Sequence, residues 1–303
     1  MYSWLYNIPM KEYLSHFSAA VQWDIPYIDT VLGFRNENTD SAHITVSKNE
    51  ERYRMSGKWV HSCELTLPAG AVVTRNGKSV ASPELLFLEL ASKLSIHRLI
   101  LLGLQMCSHG PGHPSEAITT KQKLEKFLAK TPGHLGHRKA LRAVKYVENG
   151  SASIMESLAY MLLALPHALG GYGLNHAVFN HEIKLKREAG TRLGQRHCFA
   201  DLYYKQAKLA VEYESLKYHN SPSEQGKDIL RSVVLDRQGV DVLRLSTIQL
   251  YDKNACRDFA YSLSARLGKR IHIRTERFYE MHALLRALLP DGKPVPRPEG
   301  GGI

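Results

Sequence analysis

Lys208–Leu209–Ala210–Val211–Glu212–Tyr213–Glu214 is the stretch on which the fold turns. Three apolar residues in succession, bounded by charge, predict a short strand with carboxylates at its C-terminal end. Residues two apart in a strand share a face, so Glu212 and Glu214 are expected to converge. Two same-face carboxylates beside an apolar strand are costly unless a cation or a base neutralises them. One reading puts the pair on a solvated edge, facing Lys205, Lys208 or Lys217. The other gives it a metal ion. Oxygen ligands without Cys or His suit Mg²⁺ or Mn²⁺ better than zinc. Spacing alone leaves both readings standing.

Outward from that strand, residues 222–238 read as a helix ended by Gly239, and Val240–Leu245 as a further strand. Asp252 caps a helix over 253–267, and a last helix covers 275–289. On the other side, β-like pieces fall near 175–180, 182–187 and 197–204, with Asp201 at a strand end. Gly170–Gly171–Tyr172–Gly173 is a turn; it lacks the Lys of a phosphate loop and follows a helix instead of opening one. That helix, led by Ser151, carries Glu156 and runs to about Leu165.

The first half mixes strands and helices. Ala42–Val46 and the run from Trp59 to Leu67 are β-like, and Ser82–Pro83 opens a helix as N-cap and first helical residue. A loop at 108–114 precedes helices over 119–130 and 136–148, and Glu148–Asn149–Gly150 breaks the chain. The expected division is an α+β module over 1–150, an α/β core over 151–289, and a Pro- and Gly-rich flexible tail over 290–303.

Composition bounds the function. The 303 residues hold 40 Lys and Arg against 29 Asp and Glu, a net charge of +11, with 44% hydrophobic residues. That excludes a disordered tail, a collagen-like repeat and a disulfide miniprotein, and favours a polyanionic partner. No apolar run approaches the ~18 residues of a membrane span. No secretory leader opens the sequence, and Cys63, Cys107, Cys198 and Cys256 form no CxxC pair, so a cytoplasmic protein with reduced thiols is expected.

The ordered set Glu156, Asp201–Leu202–Tyr203, Leu209–Ala210–Val211–Glu212–Tyr213–Glu214–Ser215, His219, Asp228-x-x-Arg231, Leu235, Gly239 and Val242–Leu243–Arg244 resembles the very short patch repair endonuclease-like domain of the PD-(D/E)XK superfamily. Across about 90 residues it keeps that family's order of helix acid, strand Asp, strand E-x-acid, D-x-x-R helix and V-L-R strand. The resemblance implies a restriction-endonuclease-like core, a mixed sheet flanked by helices. It makes Asp201 and Glu212 the principal metal ligands, with Glu156 supporting, and Glu214 and His219 completing the site or orienting water. The family's E-x-D-G is Glu214–Ser215 here, and the superfamily's third-position lysine is Glu214. A basic catalytic group then comes from Lys205, Lys208, Lys217 or His219, with His219 favoured. The segments Leu14–Ala20, His43–Val46, Val60–His61, Leu67–Pro68 and Val80–Glu84 resemble the AbiEi-type antitoxin region, without the winged-helix reader that usually precedes it.

Lys184, Lys186, Arg187, Arg192 and Arg196 outnumber the acids of one short span, read as a hairpin beside the acidic strand. With Lys217 they are the candidate phosphate contacts. Arg231 and Arg244 are expected in internal ion pairs with Asp228 or Asp236. Cys107, His109, His113, His134 and His137 lack the paired ligand spacing of structural zinc and read as loop residues. The expected function is Mg²⁺- or Mn²⁺-dependent hydrolysis of a nucleic-acid phosphodiester, DNA first, with a place in phage defence or beside a partner protein in a toxin–antitoxin system implied by the resemblance. Its rival is a non-catalytic antitoxin or DNA-binding regulator on a degenerate nuclease fold.

Overall fold

The structure is a computed structural model and describes residues 12–33, 41–214 and 222–290. Its chain forms two units. One runs to Cys107 and takes in Ile118–Val147; the other combines Ser108–Ala117 with the residues from Glu148 onward. The loop 108–117 therefore belongs with the second unit, although it precedes the last helices of the first. Both units are mixed α/β, each with a mixed sheet and flanking helices.

In the first unit the strands are β1 (Glu12–Leu14), β2 (Ala42–Val46), β3 (Lys58–Ser62), β4 (Val72–Arg75) and β5 (Lys78–Ala81). Its helices are α1 (His16–Gln22), α2 (Ile28–Leu32), α3 (Pro83–Ala91), α4 (Ile96–Met106), α5 (Lys121–Leu128) and α6 (His137–Val144). The sheet order is β3-β2-β1-β5-β4, with β1 antiparallel to β2 and parallel to β5. Ser82 caps α3 through a 3.2 Å bond from the Leu85 amide, and Pro83 stands at the first helical position. The apolar run Leu99–Leu104, too short for a membrane, is the middle of α4 and is wholly buried. The β-like reading beyond Ser62 fails: Glu64–Leu67 is irregular.

The second unit holds α7 (Ile154–Ala164), β6 (Val178–Lys184), α8 (Arg187–Leu193), β7 (His197–Tyr204), β8 (Leu209–Glu214), α9 (Pro222–Arg237), β9 (Asp241–Ser246), α10 (Thr247–Tyr251), α11 (Lys253–Arg266) and α12 (Glu276–Arg286). Its sheet runs β6-β7-β8-β9; the first two pairs are antiparallel and β8–β9 is parallel, joined by α9. Ala200, Leu202, Leu209, Ala210 and Val211 make its two central strands apolar and buried. The expected hairpin over 184–196 is corrected. Lys184 ends β6, Lys186 caps α8, and Arg187 and Arg192 lie on that short helix.

The Gly170–Gly173 turn places α12. Gly170 sits at φ +78°, and a Cβ there would fall 2.4 Å from the His282 backbone nitrogen, so a larger residue would push α12 away. Among the described residues no helix is long and apolar enough to cross a membrane. The expected tail lies outside the described residues except for Pro290, whose carbonyl accepts a 2.9 Å bond from Tyr251 Oη.

Candidate functional site

Glu156 is fixed first. It lies in the opening turn of α7, 2% exposed, and its amide donates to the Ser153 cap at 3.2 Å. Its carboxylate accepts the Ser153 hydroxyl at Oε1 (3.0 Å), and the Ala152 amide (2.9 Å) and Asn180 Nδ2 (3.0 Å) at Oε2. Asn180 belongs to β6 and stands at φ +41°, a conformation that Asn tolerates better than most side chains. Its amide also donates to the Gly150 carbonyl at 2.8 Å.

The sheet brings further acids to the same place. The pairs Phe179–Leu202 and His181–Ala200 flank Asn180 and Asp201, which therefore stand opposite each other. The ladder between β7 and β8 pairs Leu202 with Val211; beyond it, Asp201 Oδ2 accepts the Tyr213 amide at 2.8 Å. A side chain here takes a backbone donor, and this fixes Asp201 beside Glu212. Glu212 Oε1 receives Arg231 Nη2 from α9 at 3.1 Å, and the same Nη2 also donates to the Phe199 carbonyl. The Glu212 side chain is 16% exposed.

Electrostatics marks these groups as a cluster. Burial, then the charge of Asp201, pushes Glu156 up to about 7. The same two causes push Glu212 up to about 8, aided by Glu156 and opposed by Arg231 and Arg244. Burial is the largest influence on the Arg231 charge and works against it, yet Glu212, Cys198 and Asp201 together outweigh it and hold the guanidinium above its usual range. Among the described residues, the guanidinium bonded to this carboxylate group is Arg231, at Glu212.

Glu214 is not drawn into this cluster. It shares the Arg244 neighbourhood with Glu212, as the expected common face requires, but its Oε1 pairs with Arg244 Nη1 at 2.8 Å and its side chain is 47% exposed. The reason is register: β8–β9 pairing sets Arg244 beside Glu212, within reach of Glu214. Arg231 and Arg244 therefore serve these two glutamates. His219 and Lys217 lie outside the described residues. Lys184, Lys186, Arg187, Arg192 and Arg196 are all exposed, on the end of β6 and around α8. Asn180 was not legible as a site residue, since an Asn inside a β-like run reads as a strand break. Arg231 was visible as part of D-x-x-R, without its partner.

A metal fits the chemistry of the donors, all carboxylate oxygens, as Mg²⁺ or Mn²⁺ prefer. Among the described residues, however, no three His, Cys, Asp or Glu stand ready around one ion. Glu156 has both oxygens engaged by protein donors, which leaves Asp201 and Glu212 as the groups that would hold the ion, with Glu156 behind them.

The first unit has its own buried polar centre. Tyr13 Oη and the His16 amide donate to the two oxygens of Glu89 at 3.0 and 2.9 Å. His16 stacks on His61 with ring centroids 4.0 Å apart, and His61 Nε2 meets His43 Nδ1 at 3.0 Å. Stacked rings cannot aim their nitrogens at one ion. Burial first, then the other two histidines, drives His16 down to about 2; burial and then His43 take His61 down to about 4. Burial lifts Glu89 to about 7. The histidines expected in loops take ordinary roles: His109 and His134, and His137 at the start of α6, bond the carbonyls of Gly110, Thr131 and Leu128 at 2.8, 3.0 and 2.8 Å.

No family model, curated protein or solved structure matches the chain.

Proposed function

We propose that the second unit is a metal-dependent nuclease with a restriction-endonuclease-like core, hydrolysing phosphodiesters of DNA. One observation carries the reading: Glu156, Asp201 and Glu212, from a helix and two adjoining strands, gather as carboxylates, and the charge of Asp201 adds to burial in raising the proton affinities of the other two. A divalent cation would supply positive charge, polarise a phosphodiester and lower the pKa of a bound water. Asp201 and Glu212 would hold it. Glu156, locked by Ser153 and Asn180, orients the cluster from behind. Arg231 pairs with Glu212 and opposes the rise in its proton affinity. The exposed cations around α8 would take non-specific phosphate contacts. Likeness to the short patch repair endonuclease domain and to the AbiEi-type region supports a defence or toxin–antitoxin setting with a partner protein.

The second reading, a DNA-binding regulator on a decayed nuclease fold, is favoured by one specific feature. Glu214 stands where the superfamily has lysine, and it is occupied by Arg244. The test is cleavage of supercoiled, linear duplex and single-stranded DNA with Mg²⁺ or Mn²⁺. Cleavage that is lost in Glu212→Gln and in Asp201→Asn, with folding retained by circular dichroism, is the expected result. Equal cleavage by wild type and the double variant would sink the nuclease; tight binding without cleavage on every substrate favours the regulator.

A further inference from the structure

The second unit has a cavity of about 530 Å³ between α11, the segment Ile271–Ile273, Tyr172 and α12. It lies away from the carboxylates: α7 carries Glu156 in its first turn, whereas Tyr172 follows the other end of that helix. None of the cavity's lining residues is acidic. Lys253 and Arg257, four apart on α11 and so on one face, are both exposed. Tyr279 and Tyr261 are about half exposed, and the Lys253 ammonium stands 6.0 Å from the Tyr279 ring centroid.

His282 lines the same cavity and is 2% exposed. Its Nδ1 lies 2.7 Å from the Gly170 carbonyl, which accepts only, so Nδ1 carries the proton and Nε2 must be an acceptor. That Nε2 is buried and has no hydrogen-bond partner. Phe278 stacks on the ring at 5.1 Å and Tyr172 meets its edge at 5.3 Å, so the imidazole cannot turn to find one. Burial lowers its proton affinity further, and the charges of Arg286 and Lys253 add to that. A buried acceptor left open is costly, and an N–H donor from a ligand would satisfy it.

We propose that this cavity binds a nucleotide: a base that donates an N–H to His282 Nε2 and rests on the tyrosines, and a phosphate held by Lys253 and Arg257. Each requirement is met by a separate group. The aromatic lining offers π-faces that accept any base. The cations stand at the exposed mouth, where a phosphate keeps part of its hydration. Arg257 is shared with Asp258 at 3.5 Å, an exposed pair that a dianion can displace. The nucleotide is either free or one unit of a strand, since both present the same chemistry.

Calorimetric titration distinguishes the two, using the Glu212→Gln protein so that cleavage cannot intrude. The probes are AMP, CMP, UMP, ribose 5-phosphate and a 5′-phosphorylated single-stranded octanucleotide. At least one nucleotide should bind tenfold or more tighter than ribose 5-phosphate. Lys253→Ala with Arg257→Ala, and separately Tyr279→Ala, should each weaken it at least tenfold; all three positions are exposed, so folding is retained. The nitrogen resonance of His282 Nε2 should move on binding. Mononucleotide binding assigns a free ligand, and octanucleotide binding alone assigns a strand. Failure of every nucleotide, or binding that none of the variants alters and that leaves the His282 resonance in place, overturns the proposal. Retained nucleotide binding without any wild-type nuclease activity would uphold this site while removing the carboxylate one.

Discussion

Each unit holds a cluster of titratable side chains, and the two clusters are built to opposite rules. In the first unit, Glu89 has both oxygens taken by Tyr13 and His16, and the histidines lean on one another with their proton affinities depressed. In the second, burial and the charge of Asp201 raise the proton affinities of Glu156 and Glu212, and Arg231 is bonded to Glu212. The first centre sets one carboxylate beside three histidines, whereas the second gathers three carboxylates. Burial alone does not mark a functional site; an excess of one charge does. Separate substitutions in each centre test that contrast.

The largest effect is expected at Arg231. Arg231→Leu should lower stability by about 3 kcal/mol, because it leaves Glu212 buried without its partner. Adding Glu212→Gln should return most of that loss, a coupling of about 2 kcal/mol in a double-mutant cycle by urea unfolding. If the two losses simply add, Arg231 is a packing residue and the second centre is no more charged than the first.

Next comes the pH response of the first centre. His16 and His61 titrate in the folded state near 2 and 4, below the 6.5 of the unfolded chain. As pH falls below 6.5 the unfolded chain therefore gains protons first, and stability falls. Glu89 acts the other way: its folded value of about 7 exceeds the ordinary 4.5, so its contribution grows as pH drops from 7 to 4.5. Two histidines outweigh one glutamate, and the stability of the first unit should decline from pH 6.5 to 4.5. His16→Asn keeps a residue suited to the local φ of +48° and removes one of the two histidines. The slope should then flatten, as read by urea midpoints across that range. An unchanged slope would mean that His16 is not the buried base described.

The second centre should answer in the opposite sense. Glu156 titrates near 7 when folded, so its contribution is present below 4.5 and lost as pH rises through 7. Gln fits the site, since the Ser153 hydroxyl can accept from an amide placed where Oε1 lies, and Oε1 at Oε2 keeps the Ala152 and Asn180 bonds. Glu156→Gln should therefore gain about 1 kcal/mol over wild type at pH 8 and little at pH 5. Thermal unfolding at the two pH values reads it. Destabilisation at pH 8 would show that Glu156 is a cap alone.

How much of this could be read from residues follows from range. β8 was legible because an apolar triplet lies between charges, and Asp252 and Ser82 because a cap is a local signal. Helix α4 was hidden: Leu99–Leu104 is buried on every side, so it shows no polar face to give a period. The helix α8 was hidden for the reverse reason, a charged segment with Gly190 inside and no apolar stripe. In the site, Asp201 and Glu212 came from sequence order. Their partners did not: Arg231 reaches Glu212 across 19 positions, and Arg244 meets Glu214 through parallel register, which no local pattern encodes.

The smallest effect gives the finest comparison. Ser82 and Ser153 are both N-caps, accepting the Leu85 and Glu156 amides at 3.2 Å, one in each unit. Ala at either position should cost about 1 kcal/mol of local stability. Ser153 does a second job, donating to Glu156 Oε1, whereas Ser82 faces no buried acid through its hydroxyl. Its loss should therefore raise the Glu156 pKa further and cost more at pH 8 than at pH 6. Amide exchange in α3 and α7 reads each cap locally. Ser82→Ala should lose protection equally at both pH values, and Ser153→Ala more at the higher one. Equal behaviour would show that the Ser153 hydroxyl does not stabilise the ionised carboxylate, which would then depend on Asn180 and the Ala152 amide alone.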